Sequence, residues 1–243
     1  MKKLNTNILI PEEKFEKLAK HNNFYCISLY IPLEHNGEEP YGKENLKTQI
    51  EQLTSLLANE SIKGHEAGNY LNPIKQLLNK TDLWLTNEGK IYAKTLVIFA
   101  NENSIYHFKI STYVKSQLYI TSNFYLLPLF KKAAENEVPQ DLKQEELIIN
   151  RVEKIIPLAF EGKIDTLYVS STNGIYGVYD NDNKTTMIDE KKGNTNMSLL
   201  NLAALQTYLH KGKVCLIEPD KMSSKGVSIQ AIIKNKFKRA NQA

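Results

Sequence analysis

The sequence has two cysteines in 243 residues, one tryptophan, and no two glycines side by side among its eleven. Cys26 and Cys215 lie far apart inside apolar runs, FYCISLYI and KVCLIE. That setting argues for small buried hydrophobes in a reducing cytosol and against a disulfide or thiolate metal site. No run approaches the ~20 apolar residues of a membrane span. The opening MKKLNTNILI is too short in apolar residues for a signal peptide, so a cytoplasmic protein is expected. Neither charge sign dominates: 31 Lys+Arg face 27 Asp+Glu, a net +4. This balance permits an RNA partner without arguing for one, because a strongly basic domain is the usual footprint. GxGxxG, GxxxxGK[ST] and GxSxG are all missing, which removes the common phosphate cradles and the serine elbow. His21, His35, His65, His107 and His210 are scattered, with no pair at helical spacing beside a third ligand. The acidic pairs Glu12-Glu13, Glu38-Glu39 and Glu145-Glu146 read as solvated surface. The expectation is a protein that is not an enzyme and needs no cofactor or metal.

What is present is ordinary soluble composition, 42% hydrophobic and 24% charged, in a chain long enough for one large or two small domains. Pro11-Glu12-Glu13 opens a helix running to about His21. Residues 24–31 read as a strand stopped by Pro32, and 33–42 as a loop. Leu46, Ile50, Leu53 and Leu57 mark a helix of about four turns. A second helix carries Tyr70, Ile74, Leu77 and Leu78, and the two form a hairpin joined around Gly64–Gly68. A β region follows: DLWLT, AKTLVIFA and SIYHFKI around an Asn101-Glu102-Asn103 turn, then SQLYITSNFY. KKAAENEVPQDLKQEE loses periodicity, so 133–140 is the expected linker between domains at 1–132 and 141–239. Beyond it come a helix over 142–160 kinked by Pro157, the strand IDTLYVS, the strand in STNGIYGVYD, and one weak strand TTMID. An amphipathic helix from Asn201, the strand VCLI, a polar loop and a last apolar run complete the pattern. The fold class expected is α/β (α+β): two small domains, each a mixed sheet with packed helices.

Two regions together resemble the archaeo-eukaryotic peptide-chain release factor and Pelota superfamily in its bacterial branch. In the first, the strand CISLYIP is followed by a helix beginning Asn45-Leu46-Lys47-Thr48, where release factors carry Asn-Ile-Lys-Ser. Tyr119-Ile120-Thr121-Ser122-Asn123-Phe124-Tyr125 falls where the family has Tyr-x-Cys-x-x-x-Phe, with Thr121 in the Cys position and Tyr125 in the Phe position. In the second, Glu161–Leu167 and the stretch Asn201–Phe237 are similar to the family's C-terminal domain. There a Ser-Asp-Lys-x-Gly loop leads into Gly-Ala-Ile-Leu-Arg, an order followed by Pro219-Asp220-Lys221 through Ile232-Ile233-Lys234. The departure is a missing middle domain with its Gly-Gly-Gln loop, which argues against peptide release.

The resemblance implies a first domain of decoding type, and a second in the fold shared with kink-turn-RNA-binding ribosomal proteins. It implies a ribosome-associated factor of hibernation or rescue that binds ribosomal RNA near the small-subunit decoding region, with a translational GTPase as partner. Nucleic-acid-contacting candidates are Asn45, Lys47, Thr48, Tyr119, Thr121 and Tyr125. To these the basic tail adds Lys234, Lys236 and Lys238, at the alternation a phosphate-contacting stripe needs. Asp220, Lys221 and Lys225 are the partner-binding candidates. Each has a plainer reading: Asn45 as a helix cap, Lys47 as a solvated lysine, the tyrosines as strand core, the tail as a solvated terminus. Two alternatives from other classes are a metal-dependent nuclease and an RNA- or protein-binding module unrelated to the ribosome.

Overall fold

The computed structural model describes residues 8–22, 25–33, 41–60, 62, 64–84, 87–88, 91–133, 148–172, 174–190, 197–222 and 226–234. In chain order its first elements are α1 (Glu12–Ala19), β1 (Cys26–Pro32), α2 (Tyr41–Asn59) and α3 (Gly64–Gln76). Then come β2 (Asn87–Glu88), β3 (Ile91–Tyr92), β4 (Thr95–Asn101), β5 (Ser104–Ile110) and β6 (Gln117–Thr121). After these follow β7 (Ile148–Ile149), α4 (Val152–Phe160), β8 (Ile164–Ser170), β9 (Tyr176–Asp180) and β10 (Thr185–Asp189). The last are β11 (Met197–Ser198), α5 (Leu199–Leu209), β12 (Lys213–Ile217) and β13 (Ile229–Ile233). The mixture of helices and several sheets is the α+β class that the sequence predicts.

The chain divides into two compact units, and the division is not sequential. One unit is the continuous segment His21–Phe124; the other joins the residues up to Lys20 to those from Tyr125 onward. The linker expected at 133–140 does not coincide with this division, and most of it lies outside the described residues. The reason is packing by the chain's opening segment. Phe15 meets Phe130 edge-on at 5.0 Å and Tyr208 at 4.8 Å, and the Leu9 amide donates to the Leu129 carbonyl at 2.8 Å. The helix α1 therefore belongs with the far end of the chain.

In the His21–Phe124 unit a four-stranded antiparallel sheet has the order β5-β4-β1-β6. Strand alternation sends Ile27, Leu29 and Ile31 of β1 and Leu96, Ile98 and Ala100 of β4 to one face. There they share a core with Leu46, Ile50, Leu53 and Leu57 of α2 and Tyr70, Leu71 and Ile74 of α3. On the opposite face Tyr30, Phe99 and Phe124 form a chain of edge-to-face contacts at 6.2 and 5.4 Å. Burial pushes the Tyr30 hydroxyl well above its usual range. The β4–β5 turn is held by Asn101, whose Oδ1 accepts from the amides of Asn103 and Ser104 at 2.9 and 2.8 Å. Of DLWLT, Asp82–Trp84 belong to the 3-10 turn Thr81–Trp84 and not to a strand, and residues 85–86 lie outside the described residues. Gly64 and Gly68 lie inside α3, not in the connection before it.

In the other unit one sheet has the order β12-β8-β13-β7, with β12 parallel to β8 and the remaining pairs antiparallel. A second sheet has the order β10-β9-β11. Two expectations change. Of the helix predicted over 142–160, only Val152–Phe160 is helical, and residues 142–147 lie outside the described residues. Ile148 and Ile149 instead pair with Ile232 and Ala231, so cross-strand bonding overrides their helical spacing. The helix α5 is not amphipathic: Leu199 to Leu205 are all buried, as is Thr207. Of its buried polar residues, Asn201 has partners across the unit. Its Oδ1 accepts from the Leu126 and Leu127 amides at 2.9 and 3.0 Å. Gly177 is required by close approach, since a Cβ there would run into the Met187 carbonyl oxygen and reach Leu199 Cδ1 at 3.0 Å.

Candidate nucleic-acid interface

The NLKT residues lie one turn inside α2, which already includes Tyr41, so Asn45 does not cap that helix. Its side chain turns to the sheet instead. Asn45 Oδ1 accepts from Ser116 Oγ at 2.8 Å, and that oxygen accepts from Gln49 Nε2 at 2.5 Å. Gln49 Nε2 also donates to the Tyr30 carbonyl at 3.2 Å. One helical turn separates Asn45 from Gln49, so both reach the end of edge strand β6 from the same side of α2. Gln49 is the residue of this network that periodicity passes over. A polar residue on an otherwise apolar face is its only sequence signal.

Lys47 and Thr48 occupy the exposed side. Lys47 Nζ pairs with Glu44 Oε1 at 2.6 Å, and Thr48 Oγ1 donates to the Glu44 carbonyl at 3.2 Å. Lys47 retains 48% of its side-chain exposure. An exposed pair of this kind is worth under about 1 kcal/mol and opens readily.

Tyr119 lies across from Ser28 on β1, on the sheet face opposite α2. It is buried, and its neighbour on that face is Tyr30. Thr121 pairs with Cys26, and its hydroxyl donates to the Asn123 carbonyl at 2.6 Å. The two motif regions of this unit share the core cluster, through Leu46 of one and Ile120 of the other. Lys47 and Tyr119 stand on opposite sides of the sheet. Tyr125 is half-buried and belongs to the other unit.

Asp220 and Lys221 are exposed on the 3-10 turn Pro219–Lys221 that leaves β12. Beside it, Lys132 holds the Glu218 carboxyl below its usual range at 2.6 Å, helped by the Ser171 hydroxyl at 3.0 Å. Lys225, Lys236 and Lys238 lie outside the described residues. Lys234 is engaged: its Nζ donates to the carbonyls of Gly162 at 2.7 Å and His210 at 3.2 Å. Both cysteines are buried, and Cys26 Sγ donates to the Ser122 carbonyl at 3.4 Å.

Among the described residues no group of three or more His, Cys, Asp or Glu side chains is arranged to hold a metal ion. Nor is any described helix long and apolar enough to cross a membrane. The chain matches no protein-family model and no curated protein.

Proposed function

We propose that the protein is a non-catalytic ribosome-associated translation factor resembling release factors and Pelota. In this reading it is cytoplasmic, binds near the small-subunit decoding site in hibernation or rescue, and lacks the hydrolytic middle domain. The observation that carries the reading is the exposure of Lys47 and Thr48 together on α2, directly after β1, in the order the resemblance requires. A cation and a hydroxyl on one solvent-facing turn suit a phosphate of ribosomal or messenger RNA. In the other unit, the order β12, exposed Asp220-Lys221 turn, β13 supports a docking end for a translational GTPase. That unit is read here as a relative of the kink-turn-RNA-binding ribosomal protein fold.

Co-sedimentation through sucrose gradients, with lysate from stationary-phase cells, tests the proposal. Association with ribosomal particles is the expected result. A protein that stays wholly in the soluble fraction would sink it.

A further inference from the structure

The large apolar side chains left exposed among the described residues are two tyrosines and Val178, Met187 and Ile188. The last three fall on one hairpin, Met187 at 63% exposure, Ile188 at 49% and Val178 at 37%. Strand β10 is the outer strand of the β10-β9-β11 sheet, and among the described residues only β9 pairs with it. An edge of this kind is usually blunted by a lysine, a proline or a bulge. β10 has none of these: it reads TTMID and pairs with β9 in unbroken register. Met187 lies directly across from Val178, so these two exposed side chains share one face.

The neighbours fix which backbone groups point out from the edge. The Leu199 amide donates to the Ile175 carbonyl at 2.9 Å, on the β11 side of β9. By alternation Gly177 and Tyr179 turn their backbone groups to that side, and Tyr176, Val178 and Asp180 turn theirs to β10. Their partners Asp189, Met187 and Thr185 therefore face β9, and the Met187 carbonyl does lie against Gly177. The amides and carbonyls of Thr186 and Ile188 are left facing outward.

We infer that β10 pairs antiparallel with β10 of a second copy of this chain, about a two-fold axis at Met187. Thr186 of one strand then meets Ile188 of the other, so both outward residues bond in full. An axis at Thr186 or at Ile188 would match only one of them within the strand. Lys184, with φ 53°, has already left the extended conformation at one end, and Glu190 lies past the other. The exposed row Val178–Met187 continues into the second copy's Met187 and Val178, which removes both pairs from water. Charge sets the direction. Antiparallel strands bring the Lys184 end of each beside Glu190 of the other, whereas parallel strands would set Glu190 beside Glu190 and Lys184 beside Lys184. Lys184 keeps Glu161 at 3.0 Å in its own copy, and Asp180 stands one strand further away, beyond Thr185. Nothing in this pairing depends on ribosome association.

Two five-residue edges bury less than the about 1,200 Å² that marks off small transient interfaces, so the dimer should be weak and concentration-dependent. Sedimentation velocity of the full chain over a concentration series should show a coefficient rising from the monomer toward the dimer value. Met187→Lys sets cation against cation at the axis and should weaken association about tenfold. Its urea midpoint should stay near that of the wild type, because Met187 is exposed. Met187→Cys places two thiols on a directly opposed pair with Cα atoms about 4.5 Å apart, so mild oxidation should give a disulfide-linked dimer. Val178→Cys should not cross-link, its two copies lying three strand spacings or roughly 14 Å apart. The native Cys26 and Cys215 are buried and do not compete. A wild type that stays monomeric at every concentration overturns the pairing and gives the edge to a strand of another protein or to none. Equal cross-linking of the two cysteine variants, or a dimer indifferent to Met187→Lys, overturns it as well.

Discussion

The Lys234 ammonium donates to the Gly162 carbonyl at 2.7 Å, and the same nitrogen reaches the His210 carbonyl at 3.2 Å. Gly162 follows the end of α4 and His210 ends α5, so one cation serves two helix C-termini, where the backbone is electron-rich. Lys234→Met should therefore destabilise the protein by about 1–2 kcal/mol in chemical denaturation. Ribosome association, measured where both forms are folded, should change little. A variant of unaltered stability with reduced association would return Lys234 to the RNA-contacting stripe.

Lys47→Glu should do the opposite. Lys47 is exposed and its pair with Glu44 is exposed too, so the fold should shift by no more than about 0.5 kcal/mol. Association with ribosomal particles should fall appreciably, because a phosphate contact becomes a repulsion. Unchanged co-sedimentation would remove Lys47 from the site.

Asn201 offers a sharper stability test. Asn201→Leu leaves the Leu126 and Leu127 amides without an acceptor inside a buried helix contact, at a cost of about 2–4 kcal/mol. Asn201→Asp keeps both acceptors and should lose less. Urea midpoints of the two variants falling together would mean that shape, and not acceptance, is what the site needs.

Glu161 links α4 to the β10 end of its unit through Lys163 at 2.7 Å and Lys184 at 3.0 Å. Hydrogen bonds from Lys163 first and Lys184 second hold its carboxyl below the usual range. A carboxyl depressed in the folded state stabilises at pH values above the ionisation of the unfolded side chain. That contribution disappears as pH falls through the folded value. Glu161→Gln should therefore flatten acid-side stability by under about 1 kcal/mol and leave neutral-pH stability slightly lower. An acid limb identical to that of the wild type would refute the linkage.

Gly177→Ala should be the most damaging single methyl in the β9–β10 hairpin. The added carbon meets a main-chain oxygen that cannot swing aside, so a loss of more than about 2 kcal/mol is expected. A thermal transition within a degree or so of wild type would show that the hairpin shifts to accommodate it.

Much of this fold could be read from residue patterns, and the failures have identifiable causes. The apolar repeat Leu46, Ile50, Leu53, Leu57 does lie on one face of a helix, and SIYHFKI is a strand over its full length. The helix α5 defeats periodicity because Leu199 to Leu205 are all buried, so Asn201 among them carries a bond and not a solvent face. Ile148 and Ile149 carry helical spacing yet pair with β13, a partner more than eighty positions away. Of the candidate site, exposure of Lys47 and of the Asp220-Lys221 turn follows from local polarity. The commitment of Lys234 to two carbonyls, and the separation of Tyr119 from Lys47 by a sheet, depend on folded geometry that no spacing encodes.

The stacking of His21 on Phe124, 5.3 Å between rings, brings together the first and last residues of a unit whose chain is continuous. The helix α1 precedes that unit yet finds Phe130 and Tyr208 only after it. During synthesis, then, α1 must wait until Phe130 has been made before its apolar side gains its first partner, and until Tyr208 for its second. The segment between can close on itself in the meantime. Pausing translation between these points would hold a nascent chain with one finished body and one exposed, chaperone-accessible helix.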